Sequence, residues 1–175
     1  MGRVLILTGF PGVGKSAVGR ALARRLGWGF LDLDEAVEAA AGRPIPRIFS
    51  EEGEEAFRDM ETRALEQALR AERLVVAAGG GVLLRRRNRE LLEGCIVVNL
   101  GAPLPVCLGR LRRSPEERPL LQGEDPEGAA ARLYEARAPL YRAVPRQVDT
   151  RGRSPDEVAE EILRRFGPEI EPCAG

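Results

Sequence analysis

The octapeptide "GFPGVGKS", Gly9 to Ser16, follows directly on the apolar run "VLIL" and opens a helix-periodic stretch, "KSAVGRALARRLG". It fits GxxxxGK[ST] in the context that gives the pattern meaning, between a strand and a helix. The glycines let successive backbone N–H groups turn inward as a nest, and the helix N-terminus adds partial positive charge, so a polyphosphate is held largely by main chain. Such a loop belongs at the carboxyl edge of an open α/β sheet, where ligands of these folds sit.

Lys15 is the only lysine among the 27 Lys+Arg residues. Its compact, flexible ammonium suits the β and γ phosphates, where the broad guanidinium fork would not fit beneath the loop. Gly12, Val13, Gly14, Lys15, Ser16 and Ala17 are therefore the expected nucleotide cradle, with the Ser16 hydroxyl as the expected Mg²⁺ ligand.

Short apolar runs alternate with longer periodic ones along the rest of the chain. Val4 to Leu7, Gly29 to Leu31, Leu74 to Ala78, Ile96 to Leu100 and Gln147 to Val148 read as strands buried on both faces. Helical patterns fall between them: Val18, Leu22 and Leu26 with Gly27 as a stop, then Phe57, Met60, Ala64, Leu65 and Leu69 from Ser50 on, then "DPEGAAARLYEARAPLYRAV" up to Pro145. Ser154, Pro155 and Glu157 form a complete start signal for the last helix. This order implies a three-layer α/β/α domain on a five-stranded parallel sheet. The 175 residues suit one domain, expected over 1–166 with a flexible tail at 167–175. "RRSPEERPLLQGEDPEG" reads as a mobile surface segment, and long segments of this kind in compact domains are often lids, here 112–125.

Composition narrows the function classes. Lys+Arg and Asp+Glu balance at 27 each, which leaves no basic field for nucleic acid. "RRRNR" at Arg85 to Arg89, without interleaved aromatics, reads as a solvated helix face. Three cysteines in no metal-ligand spacing, and a start without signal-peptide layout, point to a cytoplasmic chain with no membrane association. Histidine is absent, so any general base is a carboxylate. A switch GTPase would need a second lysine for its NKxD motif. A motor ATPase would need an acidic residue after "LVVAAGGG", which ends in alanine and glycine. Small-molecule kinases remain.

"FLDLDE" places Asp32 and Asp34 two residues apart at the end of the second strand, on one side while the chain stays extended. One could hold Mg²⁺ through water and the other accept a hydroxyl proton; equally, an Asp here caps the helix that follows.

Taken together, "GFPGVGKS", "LDLD", "FR" at Phe57 and Arg58, "GGG" at Gly79 to Gly81, "RPLL" at Arg118 to Leu121 and "ARAPLY" at Ala136 to Tyr141 make the chain resemble the shikimate kinase family, in the family's order from Gly9 to about Pro155. The resemblance implies a P-loop kinase of the nucleoside monophosphate kinase type, acting as a monomer, with ATP and Mg²⁺ as cofactors and shikimate as acceptor. It implies Asp32 near the metal and Asp34 on the substrate hydroxyls as base. It implies Arg58 and Arg137 as a clamp on the substrate carboxylate, with Gly80 as a further contact, in a substrate-binding region over 34–66. Arg118 is then the cation that swings over the γ-phosphate, while Arg110, Arg153 and Pro155 line adenine. Taken alone, Arg58 would be a solvated helix arginine paired with Glu61 on the surface. Ala77 and Ala78 depart from the Ser or Thr that many family members carry there. A gluconate-type kinase, or a catalytically silent nucleotide-binding module, are the alternatives.

Overall fold

The computed structural model describes residues 3–113 and 125–171. Arg118, with the greater part of the expected lid, lies outside the described residues, as does Cys173. The chain runs β1 (Val4–Thr8), α1 (Lys15–Leu26), β2 (Gly29–Asp32), α2 (Leu33–Ala41), α3 (Ile45–Ala68), β3 (Leu74–Ala77), α4 (Arg86–Leu91), β4 (Ile96–Gly101), α5 (Leu104–Leu111), α6 (Pro126–Arg142), β5 (Arg146–Asp149) and α7 (Pro155–Ile170).

The five strands form one parallel sheet in the order β2-β3-β1-β4-β5. All five residues of β1 are buried, which is possible only where helices cover both faces, and a continuous apolar run is the sequence of such a strand. Leu5, Ile6 and Leu7 are fully enclosed, each contributing about 1.5–3 kcal/mol of burial. The register sets Asp32 beside Ala77, Ala77 beside Leu7 and Leu7 beside Val98. The segments after β1, β2 and β3 therefore leave the sheet at one level and on one edge, and the site is built there.

Every expected strand is present, each a residue or so different in extent. The helices differ more. α3 begins at Ile45 rather than near Ser50, and its two stretches meet at Gly53 (φ 86, ψ 174). The tail expected from 167 is helical up to Ile170, whose side chain is buried. Val158, Ile162, Phe166 and Ile170 repeat every four residues on the face of α7 turned to the core. Ser154 and Glu157 make the expected reciprocal cap. Among the described residues no helix is long and apolar enough to cross a membrane.

Candidate active site

The loop after β1 owes its path to two glycines. Gly9 has φ 143, and a Cβ there would run into the Leu100 carbonyl; Gly12 has φ 85, and a Cβ there would lie 2.6 Å from the Cys107 carbonyl oxygen. Both positions favour glycine by conformation and by space, so the loop lies flat against β4 and α5. Lys15, first residue of α1, bends back over it and donates to the carbonyls of Gly9 at 2.9 Å and Phe10 at 3.2 Å.

Ser16 donates its hydroxyl to Asp32 Oδ2. The other oxygen of Asp32 accepts from the N–H groups of Asp34, at 3.0 Å, and Glu35, capping α2. The helix cap and the acceptor for Ser16 are thus the two oxygens of one carboxylate. The extended spacing expected for the Asp pair does not hold, because α2 starts at Leu33 and Asp34 stands in its first turn. Both still line the same cleft.

Opposite the phosphate loop, α3 and α6 deliver Arg58 and Arg137, 79 positions apart in sequence and both buried at 5% and 4% exposure. The surface reading of Arg58 is overturned: its Nη1 donates to Glu61 Oε2 at 2.9 Å, and Glu61 is itself only 1% exposed. Burial pushes the Glu61 carboxyl above the usual range, and Asp34 adds to this while Arg58 and Arg137 oppose it. Arg58 Nε and Nη2 both reach Glu54 Oε1, at 3.3 and 3.1 Å. Glu61 Oε1 and the Nε and Nη2 atoms of Arg137 are buried without a hydrogen-bond partner among the described residues.

The glycine triplet after β3 closes over these groups. A Cβ on Gly79 would lie 2.7 Å from Glu61 Oε1 and 2.9 Å from Asp34 Oδ1. One on Gly80 would lie 3.2 Å from Arg137 Nη1, and one on Gly81 would overlap the Arg58 guanidinium. The missing side chains are the space in which the two arginines sit. Tyr141, one turn beyond Arg137 on α6, donates to the Gly80 carbonyl. Burial pushes its phenol up to about 12, against the pull of Arg137.

Arg110 lines the cleft and holds the phosphate loop by its carbonyls. Its Nη1 donates to Val13 O at 2.9 Å and Gly12 O at 3.3 Å, and its Nη2 to Thr150 O at 2.9 Å. Arg153 and Pro155 are exposed and are not among the residues that line the cleft. Arg153 leans toward the Asp149 carbonyl and Glu161, and Pro155 fills the first position of α7. The cleft encloses about 780 Å³ and runs from Lys15 and Ser16 past Asp34 to Arg58 and Arg137. Sequence reasoning named Glu61 only as a surface partner for Arg58 taken alone, and passed over Thr150. Glu61 could have been found, because it falls on the buried stripe Phe57, Glu61, Leu65, Ala68 of α3; a carboxylate on such a stripe needs a buried cation.

The chain that builds this cleft has relatives among known proteins. The family model described as "Shikimate kinase" matches residues 11–166. A shikimate kinase of Gloeobacter violaceus is 46% identical over 160 residues, 91% of this chain and 90% of its own. The structure of "Shikimate kinase from Acinetobacter baumannii in complex with shikimate" superposes with a TM-score of 0.91 at 39% identity, covering 97% of this chain and 95% of that one. A gluconokinase from Sinorhizobium meliloti, at 19% identity and a TM-score of 0.59, shares the fold alone. With a family model that matches residues 11–166 and a relative 46% identical over nine-tenths of both chains, this chain belongs to the shikimate kinase family.

Proposed function

We propose that this cleft transfers the γ-phosphoryl group of ATP to the 3-hydroxyl of shikimate, with the following division of labour. The backbone from Gly12 to Ala17 cradles the β and γ phosphates, and Lys15 moves from its loop carbonyls onto them. Arg58 and Arg137 hold the acceptor carboxylate by charge-assisted forks, and Gly80 lets the ring approach the backbone. The hydroxyl oxygen forms its bond to the γ-phosphorus as the bond to the β–γ bridging oxygen breaks, and the hydroxyl proton passes to Asp34. ADP leaves with its β-phosphate still in the loop.

Catalysis of this kind is mostly positioning and charge neutralisation, so Asp34 need be only a modest base. Ser16 and Asp32 present a hydroxyl and a carboxylate. Hard oxygen donors of this number suit Mg²⁺, which takes its remaining ligands from phosphate and water. When bound, the ion would neutralise charge on the β and γ phosphates. Arg118, in the segment proposed as a lid over 112–125, adds a cation at the γ-phosphate, and lid closure excludes water. The region 34–66 is the proposed acceptor-binding part of a single domain. Arg110, Arg153 and Pro155 stand on the proposed adenine side. We further read the protein as a cytoplasmic monomer that needs no nucleic acid.

The observation that carries this reading is the buried pair Arg58 and Arg137, with two Arg137 nitrogens that have no acceptor among the described residues, across the cleft from Lys15. An uncharged polyol would offer these two cations no anion, whereas shikimate, gluconate and quinate all carry a carboxylate and are told apart by trial. The test is ADP release with shikimate, gluconate and quinate offered in parallel. Release with shikimate far above the other two is expected. Preference for gluconate, or acceptor-independent release, refutes the acceptor assignment, and nucleotide binding without any release identifies a silent module.

A further inference from the structure

We propose that Thr150 is a positioning residue for the phosphate loop: its hydroxyl, together with Arg110, fixes the Val13 carbonyl and thereby aims the Gly14 N–H at the bound phosphate. The inference deepens the phosphate-binding reading of the loop and rests on it.

Thr150 follows β5, 137 positions from Val13, and is 2% exposed. Its backbone N–H donates to the Gly101 carbonyl at 2.8 Å, which ties the segment after β5 to the end of β4. Its hydroxyl has one proton and two carbonyls in reach, Val13 at 3.0 Å and Gly101 at 3.3 Å; Val13 is the nearer. The same oxygen accepts from Arg110 Nη1 at 3.0 Å, and that nitrogen also donates to Val13 O at 2.9 Å. Val13 O therefore receives two donors that are joined to each other, Arg110 from the wall of the cleft and Thr150 from the buried side.

A trans peptide unit is planar, with C=O and N–H pointing opposite ways, and there is no cis peptide among the described residues. Holding the Val13 carbonyl down on the protein side points the next N–H, that of Gly14, up into the nest. Gly14, at φ 99, lacks the side chain that would otherwise favour one setting of this peptide. An external brace is what keeps the donor aimed before phosphate arrives, and preorganised donors are the ones that count. Threonine is suited to the place because it is both donor and acceptor, whereas valine, of the same shape, is neither.

The experiment is calorimetric binding of ADP and of inorganic tripolyphosphate, both with Mg²⁺, to the full chain and to Thr150→Val and Thr150→Ser. The Val variant is expected to lose about five- to tenfold in affinity for both probes alike, the size of one hydrogen bond, with the shikimate KM within about twofold of the original. The Ser variant is expected to restore both affinities. Weaker ADP with unchanged tripolyphosphate would overturn the inference, since Thr150 would then serve only the adenine side. So would unchanged binding of both, or a Ser variant as weak as the Val variant. Should Thr150→Val not fold, Thr150→Ala must give the same common loss. An unaltered chain that binds neither probe refutes the loop reading itself, and the inference with it.

Discussion

Replacing Tyr141 by Phe removes one oxygen and tests how the acceptor end of the cleft is held together. In the native chain the phenol donates to the Gly80 carbonyl, on the glycine whose missing Cβ makes room for Arg137. Leaving a carbonyl without its donor costs about 1–3 kcal/mol. Gly80 is half-buried, so water can partly replace the phenol, and about 1.5 kcal/mol at pH 8 is the expected loss. For a chain of this length that lowers Tm by about 3–6 °C. The alkaline limb has the opposite sign. Burial raises the folded-state pKa of Tyr141 to about 12, whereas the unfolded chain titrates near about 10. The stability that depends on the protonated phenol is fully present below pH 10 and is lost as pH rises toward 12. That loss reaches about 1.4 kcal/mol at pH 11 and about 2.7 kcal/mol beyond pH 12. Phenylalanine has no such titration, so its stability should meet that of the native chain near pH 11 and exceed it above. Urea midpoints of both proteins from pH 8 to 12, with the shikimate KM at pH 8, make the assay. The burial-raised thiols of Cys95 and Cys107 titrate in both and cancel. Parallel stability curves, or a shikimate KM unmoved by the substitution, would refute the reasoning.

Other substitutions separate the proposed roles. Asp34→Asn should lower kcat at least about a hundredfold, as loss of a general base does, and leave the ATP KM within about twofold; equal losses in both would discredit the role. Arg137→Lys keeps the charge but not the fork. The shikimate KM should rise about ten- to a hundredfold, in line with one charge-assisted hydrogen bond, at constant ATP KM, and an unchanged value would remove Arg137 from the clamp. Lys15→Arg also conserves charge, yet should abolish measurable ADP binding by calorimetry; binding within about twofold of the original would show that the loop does accept a guanidinium.

What the sequence disclosed and what it hid divide along contact range. The phosphate loop is a contiguous element whose glycines, lysine and serine act through their own backbone, so eight residues state its chemistry in full. The strands were legible because a parallel strand covered on both faces is a short unbroken apolar run, as "VLIL" is. Arg58 and Arg137 were not legible from spacing, since nothing local says that α3 and α6 meet across the glycine triplet; only the likeness to a family joined them. The burial of Glu61 was not legible because an i,i+3 ion pair looks the same on a surface as in a core, and burial is decided by what packs on the helix. The extension of α7 to Ile170 was masked by Gly167 and Pro168, two residues that usually end helices, although the four-residue apolar ladder ran straight through them. Asp34 was assigned correctly to the cleft for a wrong local reason: a helical first turn, not an extended strand, carries it there.

The balanced charge of the chain takes on meaning when its ion pairs are located. On the outside, arginines are matched to neighbours: Arg85 to Glu55 and Asp59, Arg86 to Glu90, Arg87 to Glu66, Arg47 to Glu51. Such exposed pairs contribute little to stability, but they leave no broad positive field to gather anions indiscriminately. Inside the cleft the matching is deliberately incomplete. Arg137 keeps two nitrogens without acceptors among the described residues. Arg58 is held from one side by buried Glu61, while its Nε/Nη2 edge is taken by Glu54, whose side chain is 46% exposed. An incoming carboxylate therefore meets one guanidinium with open valence and one whose edge is occupied by a replaceable, half-solvated carboxylate. Exchange of Glu54 for the ligand costs about as much as one exposed ion pair, below about 1 kcal/mol, whereas displacing Glu61 would strand a buried charge at about 3–5 kcal/mol. The site can thus take up an acid at the Glu54 edge while Glu61 stays and keeps the fork aimed, so the anion is selected by geometry inside a molecule that carries no net attraction for anions.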